Sequence, residues 1–284
     1  MHTTPQEYKT ALITGASSGI GTAFANILPA TTSLLLTGRN EERLRQIGAG
    51  LEGKARRVAC IAADLATAGS CAALIERAIE EQIDLLVCNA GLGFSGSFLH
   101  SRMSDERDTV TVNVLAVMEL LHALLPPMID RARREKRRAG VIIVSSTAAF
   151  AQVPAGLACY CASKAFVLRL AEALAEELRA DPLDVLALCP TYTATGFFTR
   201  AGLPAPQQVM EADDVAREAM AALGRRTVHV CSMHRSPQAI RRLAAYNPAL
   251  ADAWGLPRRM VARLLPKNVR SLVRSGLLRR RPPG

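Results

Sequence analysis

The segment Thr14-Gly15-Ala16-Ser17-Ser18-Gly19-Ile20-Gly21 follows a short apolar run and leads directly into a helical pattern. Glycine lets the backbone turn tightly and approach a bound group closely, and the free amides at a helix start attract an anion. Three glycines alone are weak evidence, since glycines also end strands for structural reasons. This turn, however, lies at the first strand–helix junction of a βαβ unit, where the pyrophosphate of a dinucleotide sits. The segment therefore predicts a dinucleotide-binding α/β domain.

Outward from this turn, apolar strand-like runs alternate with helical patterns over about the first 230 residues. The predicted strands are 9–14, 33–37, 57–62, 83–88, 141–145, 185–189 and 227–231. The predicted helices are 19–28, 40–47, 68–81, 104–128, 158–179 and 212–223. Such alternation predicts one doubly wound, parallel, seven-stranded sheet with helices on both faces. We expect a catalytic domain over residues 1–231 and an extension over residues 232–284.

The charge of the chain is unevenly distributed. The 284 residues carry a net charge of +10, with 49% hydrophobic and 21% charged residues. Residues 1–224 contain 21 Lys and Arg against 24 Asp and Glu, whereas residues 225–284 contain 14 basic residues and one acid, Asp252. The basic character belongs to the C-terminal extension, so we expect no nucleic-acid partner for the main body.

The cysteines and the N-terminal residues favour a cytoplasmic location. The seven cysteines are an odd number with no CxxC spacing, and Cys88 and Cys189 lie in apolar runs, as buried thiols in a reducing compartment do. The first nine residues lack the apolar core of a secretory signal peptide. Because no uninterrupted apolar run reaches about 18 residues, we expect no spanning helix.

A basic run, Arg131-Ala-Arg-Arg-Glu-Lys-Arg-Arg138, follows Pro126 and Pro127 and precedes the fifth strand. Proline ends most helices, so the run is predicted to be a solvated loop. A phosphate-binding patch is the alternative.

The glycine turn has the form TGxxxGxG, and five further motifs follow it in order. They are Asp64-Leu65 after the third strand, Asn89-Ala90-Gly91 after the fourth, Asn113 in the fourth helix, Ser145-Ser146 after the fifth strand, and Tyr160-Cys-Ala-Ser-Lys164 in the next helix. In these motifs the chain resembles the short-chain dehydrogenase/reductase family over roughly residues 9–199. The resemblance implies a Rossmann fold, an oxidoreductase acting on CH–OH or C=O groups, and a homodimer or homotetramer.

The resemblance also implies which residues bind the cofactor. They are Gly15, Ser17, Ser18, Gly19, Ile20, Gly21, Asp64, Leu65, Asn89, Ala90, Gly91, Tyr160, Lys164, Pro190 and Thr195. One departure follows the sixth strand, where the family usually has glycine after Pro190 and this chain has Thr191. Threonine adopts a positive φ less readily than glycine, which leaves the path of this loop open.

The end of the second strand predicts which dinucleotide binds, since this position meets the adenosine ribose. The strand ends Thr37-Gly38-Arg39-Asn40, without a carboxylate to accept two ribose hydroxyls. A guanidinium suits a 2′-phosphate, and such a charge-assisted contact contributes roughly 1.5–3 kcal/mol. We therefore predict NADP(H), with Arg39 on the 2′-phosphate. The alternative is that Arg39 is a surface residue beside Glu41 and Glu42.

Tyr160 and Lys164 are four residues apart on a predicted helix, so their side chains project from one face. A free phenol titrates near pH 10. An ammonium about 5 Å away, at an effective dielectric near 20, favours the phenolate by about 3 kcal/mol, or roughly two pK units. We therefore expect Lys164 to lower the pKa of Tyr160.

The resemblance assigns the catalytic roles. Tyr160 would protonate the carbonyl oxygen, Lys164 would also hold the nicotinamide ribose, and Asn113 would anchor a water in the proton relay. Ser146 would hydrogen-bond the substrate oxygen, with Ser145 and Thr147 as alternatives. Ser146 lies 14 residues before Tyr160, one more than is usual, which implies an extra residue in the loop 152–157.

Apolar side chains near these motifs suggest the substrate class. The predicted walls of the substrate pocket are apolar and are formed by Leu92, Phe94, Phe98, Leu157, Tyr192, Phe197 and Phe198. They favour a lipophilic ketone, aldehyde or secondary alcohol. We expect an NADPH-dependent carbonyl reductase, with biosynthetic oxidation, epimerisation or a non-catalytic NADP-binding role as alternatives.

The extension contains apolar residues at helical spacing, with arginines around the remaining faces. Such a segment can lie on an anionic membrane surface. Pro257 and Pro266 divide it into short pieces that bind lipid poorly, so we favour docking of residues 258–278 on the main body.

Overall fold

The structure is a computed structural model, and it describes residues 7–67, 69–150, 155–204 and 206–231. The strands are β1 Thr10–Thr14, β2 Ser33–Gly38, β3 Val58–Ala62, β4 Leu85–Cys88, β5 Ala139–Val144, β6 Leu183–Cys189 and β7 Val228–Val230. The helices are α1 Gly19–Ile27, α2 Glu41–Leu51, α3 Ser70–Glu80, α4 Met103–Val110, α5 Ala116–Glu135, α6 Ala158–Glu177, α7 Phe197–Arg200 and α8 Ala212–Ala222. A π-helical segment, Thr111–Leu115, joins α4 to α5, and a 3₁₀ turn, Thr147–Ala149, follows β5.

The strands form one parallel sheet in the order β3-β2-β1-β4-β5-β6-β7. The order reverses between β1 and β4, so the connections after these two strands diverge and leave a crevice at their carboxyl ends. Ligands of open α/β sheets bind at such a switch point. The predicted seven-stranded, doubly wound sheet is confirmed.

Two apolar layers hold the helices against the sheet. One contains buried residues of α3, α5 and α6, and the other contains buried residues of α1, α2 and α8. Every residue of β4 and of β5 is buried, as expected for central strands covered on both faces. The central strands therefore hold their carboxyl ends, and the side chains that follow them, in a rigid frame.

The helix predicted to end at 128 instead continues through two prolines to Glu135, as α5. Pro126 is exposed and Pro127 is half-buried, so the carbonyl groups that lose their helical donors lie toward the solvent side of the helix. Apolar residues before and after the prolines, including Leu125 and Ile129, stay buried in the core. Their burial outweighs the proline penalty.

The basic run is therefore not a solvated loop, and the prediction was wrong. Its first part is the last turn of α5, and its arginines contact the amino-terminal edge of the sheet. Arg131 donates to the carbonyl of Ile83, and Arg137 lies 3.2 Å from Asp84. Arg138 pairs with Asp184 at 2.8 Å. Because these three arginines donate to acceptors of the protein itself, the run is structural.

The helical stretch from Met103 to Glu135 is long and apolar enough to cross a membrane by composition. Most of its apolar window is buried inside the fold, which accounts for that composition as a core helix. The predictions for residues 232–284 lie outside the described residues and stay predictions.

Candidate active site

The turn between β1 and α1 depends on glycine at three positions. Gly15 and Gly19 have positive φ angles of 67° and 56°. A Cβ on Gly15 would lie 2.9 Å from Ala90 Cα, and one on Gly21 would lie 2.3 Å from the carbonyl oxygen of Gly15. Side chains at these two positions would therefore collide with the end of β4 or with the turn itself. The backbone of Gly15 and Gly19 lines the crevice without side chains, as close approach of a pyrophosphate requires.

Asn89 ties the end of β4 to this turn. Its side-chain amide donates to the carbonyl of Thr14 at 2.9 Å and to that of Gly15 at 3.3 Å. The backbone amides of Asn89 and Ala90 both donate to Thr14 Oγ1, each at 2.9 Å. These hydrogen bonds fix the glycine turn against the end of β4, so Asn89 positions the backbone that faces the crevice.

Asn113 lies in the π-helical segment and is buried. Its Nδ2 donates to Leu92 O at 2.8 Å and to Ser163 Oγ at 2.9 Å, while its Oδ1 accepts from Leu92 N at 2.8 Å. The side chain thus joins the loop after β4 to α6. A π-helical insertion often occurs at a functional site because it redirects one side chain. Water anchoring by Asn113 stays a prediction.

Of the two serines that follow β5, Ser146 contacts Tyr160. A side-chain hydrogen bond links Ser146 to the phenol, and Ser146 Oγ also accepts from Ala148 N at 3.1 Å. Ser145 is buried, and its hydroxyl donates to the carbonyl of Lys164 at 2.7 Å. Ser145 therefore braces α6, and Ser146 is the hydroxyl available beside the phenol.

The ionisation of Tyr160 differs from the expectation. Burial raises the pKa of Tyr160 to about 12, although the hydrogen bond from Ser146 acts in the opposite direction. Burial also lowers the pKa of Lys164 to about 8. Lys164 Nζ donates to the carbonyl of Val144 at 2.9 Å and lies 5.9 Å from the centre of the Tyr160 ring. The expected lowering of the Tyr160 pKa was wrong for this structure, because desolvation of the phenol is the largest influence on it.

One cavity of about 1440 Å³ is lined by the glycine turn together with Ser146, Tyr160 and Lys164. Of the predicted cofactor residues, those on its wall are Gly15, Ser17, Ser18, Gly19, Ile20, Arg39, Asp64, Leu65, Asn89, Ala90, Gly91, Tyr160, Lys164, Pro190 and Thr195. Gly21 and Asn113 lie behind this wall. Leu92, Leu157, Tyr192, Phe197 and Phe198 line the cavity too.

Two predicted pocket residues lie outside the cavity wall. Phe94 is not among the lining residues, and Phe98 is 55% exposed. The chain turns away after Gly93, where the backbone amide of Ser95 donates to Ala201 O at 2.9 Å and that of Gly96 to Gly156 O at 3.0 Å. These pairings hold residues 95 and 96 against neighbouring loops and direct the following residues toward the surface.

The sequence profile described as short chain dehydrogenase matches residues 9–203. The chain belongs to the short-chain dehydrogenase family. It is 34% identical over 185 residues to the 3-oxoacyl-[acyl-carrier-protein] reductase FabG of Rickettsia prowazekii, a match covering 65% of this chain and 72% of the relative.

Two solved structures are also similar to this chain. One is a short-chain dehydrogenase from Sphingobium yanoikuyae in complex with NADPH, with 30% identity, a TM-score of 0.71, and coverage of 87% of this chain and 94% of the other. The second is the bulky-bulky ketone specific alcohol dehydrogenase from Comamonas testosteroni, with 26% identity and a TM-score of 0.68. That match covers 88% of this chain and 94% of the other.

The residues of this short-chain dehydrogenase fit a nicotinamide dinucleotide. The backbone of Gly15 and Gly19 lines the cavity without side chains, which suits a pyrophosphate. Lys164 Nζ lies next to Gly91, 3.2 Å from where a Cβ on that residue would be. The Lys164 ammonium thus lies at the switch point of the sheet, beside Tyr160. This position suits contact with the ribose hydroxyls of a nicotinamide nucleotide whose ring reacts next to Tyr160. The family therefore identifies this protein as an oxidoreductase with a nucleotide site at the crevice.

Sequence reasoning missed Gly93 in this short-chain dehydrogenase. A Cβ on Gly93 would lie 2.8 Å from Tyr160 Cδ2 and 3.0 Å from Phe197 Cζ. The Tyr160 and Phe197 ring centres are 5.0 Å apart, so both rings pack over this glycine. The available signal was the spacing Asn89-Ala90-Gly91-Leu92-Gly93, in which a second glycine follows the recognised motif.

The loop after β6 in this short-chain dehydrogenase accommodates Thr191 without strain. Positive φ angles at non-glycine residues of the described chain occur only at Gln82 and Lys136. The carbonyl of Thr191 accepts from Thr193 Oγ1 at 3.0 Å, and the carbonyl of Pro190 accepts from Thr147 N at 2.9 Å. The loop therefore takes a path that any L-residue can adopt, and it brings Thr195 to the glycine turn.

Proposed function

We propose that this enzyme reduces a lipophilic ketone or aldehyde with NADPH, reversibly. The observation that carries the proposal is that the Tyr160 phenol lies on the cavity wall beside Phe197. The phenol hydrogen-bonds Ser146 in the cavity that the glycine turn and an aromatic wall share. With a pKa of about 12, Tyr160 keeps its proton at neutral pH and is able to donate it.

The protein's own groups supply the acid half of the reaction. When bound, NADPH supplies a hydride to the carbonyl carbon. Tyr160 donates its proton to the carbonyl oxygen, so that the C=O double bond becomes an alcohol. Ser146 donates a hydrogen bond to the same oxygen as its negative charge develops. Lys164, buried beside Tyr160, is the positive charge that compensates the phenolate left behind.

Arg39 supports the choice of NADPH over NADH. Its side chain is exposed on the cavity wall, and among the residues that the structure describes no carboxylate pairs with it. Glu41 and Glu42, the partners expected of a surface arginine here, pair instead with Arg45, at 2.8 Å and 3.5 Å. The similar Sphingobium structure is a complex with NADPH.

An aromatic wall supports a lipophilic substrate. Phe197 and Phe198 meet edge to face with ring centres 5.7 Å apart, and Tyr192 packs on Phe198 at the same distance. The Tyr160 ring packs on Phe197 with ring centres 5.0 Å apart, so the proposed proton donor adjoins the wall. Apolar surface of this kind favours a hydrocarbon group next to the reacting carbonyl. The similar Comamonas enzyme is named as specific for bulky ketones.

A substrate screen tests the proposal. Lipophilic ketones and aldehydes are offered with NADPH or NADH, and secondary alcohols with NADP or NAD, while the nicotinamide absorbance is followed. We expect turnover of apolar ketones with NADPH and a lower kcat/KM with NADH. Tyr160→Phe is the matched control, since it keeps the ring and removes the proton. NADPH binding without turnover of any compound, in a panel that includes epimerisable hydroxyketones, would contradict the reductase and favour a binding role.

A further inference from the structure

Arg200 is a second arginine of the cavity wall, which also contains Arg39. It ends α7, the short helix that begins with Phe197 and Phe198. Arg200 Nη1 lies 2.4 Å from the position that a Cβ on Gly196 would occupy, so the guanidinium folds back over its own helix start. This places the positive charge at the near end of α7, toward the cavity.

The start of α7 also contacts the glycine turn. Thr195, the residue before Gly196, has its Cγ2 2.7 Å from the position of a Cβ on Gly19. A side chain on Gly19 would therefore collide with Thr195. The Arg200 guanidinium, resting on Gly196, is one residue away from this contact. It consequently lies near the glycine turn, which the end of β2 also approaches, since a Cβ on Gly38 would lie 3.0 Å from Ser17 Oγ.

Arg39 and Arg200 are close enough to interact electrostatically. Burial lowers the pKa of Arg200, and the positive charge of Arg39 lowers it further. Within residues 7–67, 69–150, 155–204 and 206–231, no hydrogen bond or ion pair engages either guanidinium. Two cations that face one cavity repel each other unless an anion lies between them. A phosphate dianion would satisfy both.

We propose that Arg200 and Arg39 together bind the 2′-phosphate of NADPH, Arg39 from the end of β2 and Arg200 from α7. The proposal deepens the proposed function and rests on its choice of NADPH. It makes Arg200 a second residue that determines cofactor specificity. Because Arg200 ends the helix that carries Phe197 and Phe198, the 2′-phosphate also holds the aromatic wall in place.

Fragments of the cofactor separate the possible phosphate contacts. Calorimetric titration of the full chain with 2′,5′-ADP reports on the 2′-phosphate, and titration with ADP reports on the pyrophosphate. We expect Arg200→Gln to weaken 2′,5′-ADP by about tenfold or more and ADP by less than about twofold. Arg200→Lys keeps the charge and loses the planar fork. Its affinity for 2′,5′-ADP should therefore lie between those of wild type and Arg200→Gln.

Two controls accompany the titrations. Arg43→Gln removes an arginine of α2 that donates to Gln46 and lies off the cavity wall, so it tests for a general effect of net charge. Arg39→Gln combined with Arg200→Gln should leave no preference for 2′,5′-ADP over ADP. The substrate provides an independent readout: the KM for a lipophilic ketone should rise in Arg200→Gln with NADPH and change little with NADH.

Each outcome decides the proposal. If Arg200→Gln weakened the binding of 2′,5′-ADP and of ADP equally, Arg200 would be assigned to the pyrophosphate, and the shared 2′-phosphate site would be overturned. No loss in Arg200→Gln, or the same loss in Arg43→Gln, would also overturn it. In those cases, Arg39→Gln alone still supports the proposed NADPH dependence if it loses affinity for 2′,5′-ADP and keeps its affinity for ADP. Equal binding of the two fragments by wild type would instead contradict that dependence itself.

Discussion

The phenol of Tyr160 hydrogen-bonds the hydroxyl of Ser146, whereas the neighbouring Ser145 donates to the backbone of α6. Ser146→Ala should therefore lower kcat by about a hundredfold or more, since it removes a hydrogen-bond donor to the developing oxyanion. Ser145→Ala should instead lower the free energy of unfolding by about 1 kcal/mol, because a buried hydrogen bond is lost. Steady-state kinetics and urea unfolding of both variants check this division. A larger loss of kcat in Ser145→Ala would reverse the assignment.

Much of this arrangement could be predicted from the sequence. The alternation of apolar runs and helical patterns predicted each strand of the sheet to within a few residues, because central parallel strands are buried on both faces. Tyr160 and Lys164 were predicted to share a face by their helical spacing, and the cation does lie 5.9 Å from the ring centre. Local spacing is sufficient for features of this kind.

Other features depend on contacts between distant segments. The passage of α5 through Pro126 and Pro127 depends on apolar burial on both sides of the prolines. Desolvation of Tyr160 depends on the walls around it, so the pair with Lys164 alone predicted the wrong direction for its pKa. Gly93 and Arg200 matter only through their approach to Tyr160 and Arg39, which are far away in the sequence. No single-sequence pattern marks such approaches.

The buried ammonium of Lys164 should make stability depend on pH. Its pKa is about 8 in the folded protein against an ordinary value of 10.5, so the folded state disfavours the charged form. The resulting cost, on the order of 3 kcal/mol, is full below about pH 8 and disappears as pH rises to 10.5. Lys164→Met removes this cost. The increase in its free energy of unfolding over that of wild type should therefore be larger at pH 7 than at pH 9.5.

Denaturant unfolding of wild type and Lys164→Met at these two pH values checks the expectation. The same variant should lose both NADPH affinity and turnover. A stability difference that stays constant between pH 7 and 9.5 would show that Lys164 is not desolvated in the fold. An unchanged NADPH affinity would argue against its predicted contact with the ribose.

Cofactor choice should respond to the end of β2. Arg39→Ala should weaken NADPH by about ten- to a hundredfold and leave NADH nearly unchanged, since only the former carries a 2′-phosphate. Adding Gly38→Asp should invert the preference, because a carboxylate repels that phosphate and accepts ribose hydroxyls. A Cβ at this position lies 3.0 Å from Ser17 Oγ, so the serine side chain must shift slightly. Fluorescence titration with both cofactors measures the change; a wild-type preference for NADH would contradict the assignment.

Gly93→Ala should impair catalysis without impairing cofactor binding. The new methyl group would lie 2.8 Å from the Tyr160 ring and push the phenol away from Ser146. We expect kcat to fall by about tenfold or more, with the NADPH Kd within twofold of wild type. Gly50→Ala is the control, because a Cβ at this position of α2 meets nothing within 4 Å. Wild-type turnover in Gly93→Ala would show that the exact approach of Tyr160 to Gly93 is unimportant.

The central claim is that Tyr160 donates the proton in carbonyl reduction. The most direct measurement is the turnover of Tyr160→Phe with NADPH and an accepted ketone, combined with an NADPH fluorescence titration of the same preparation. We predict a loss of turnover by about a hundredfold or more, because the ring stays and only the transferable proton is removed, with NADPH affinity within twofold of wild type. Turnover within tenfold of wild type, at unchanged NADPH affinity, would contradict it.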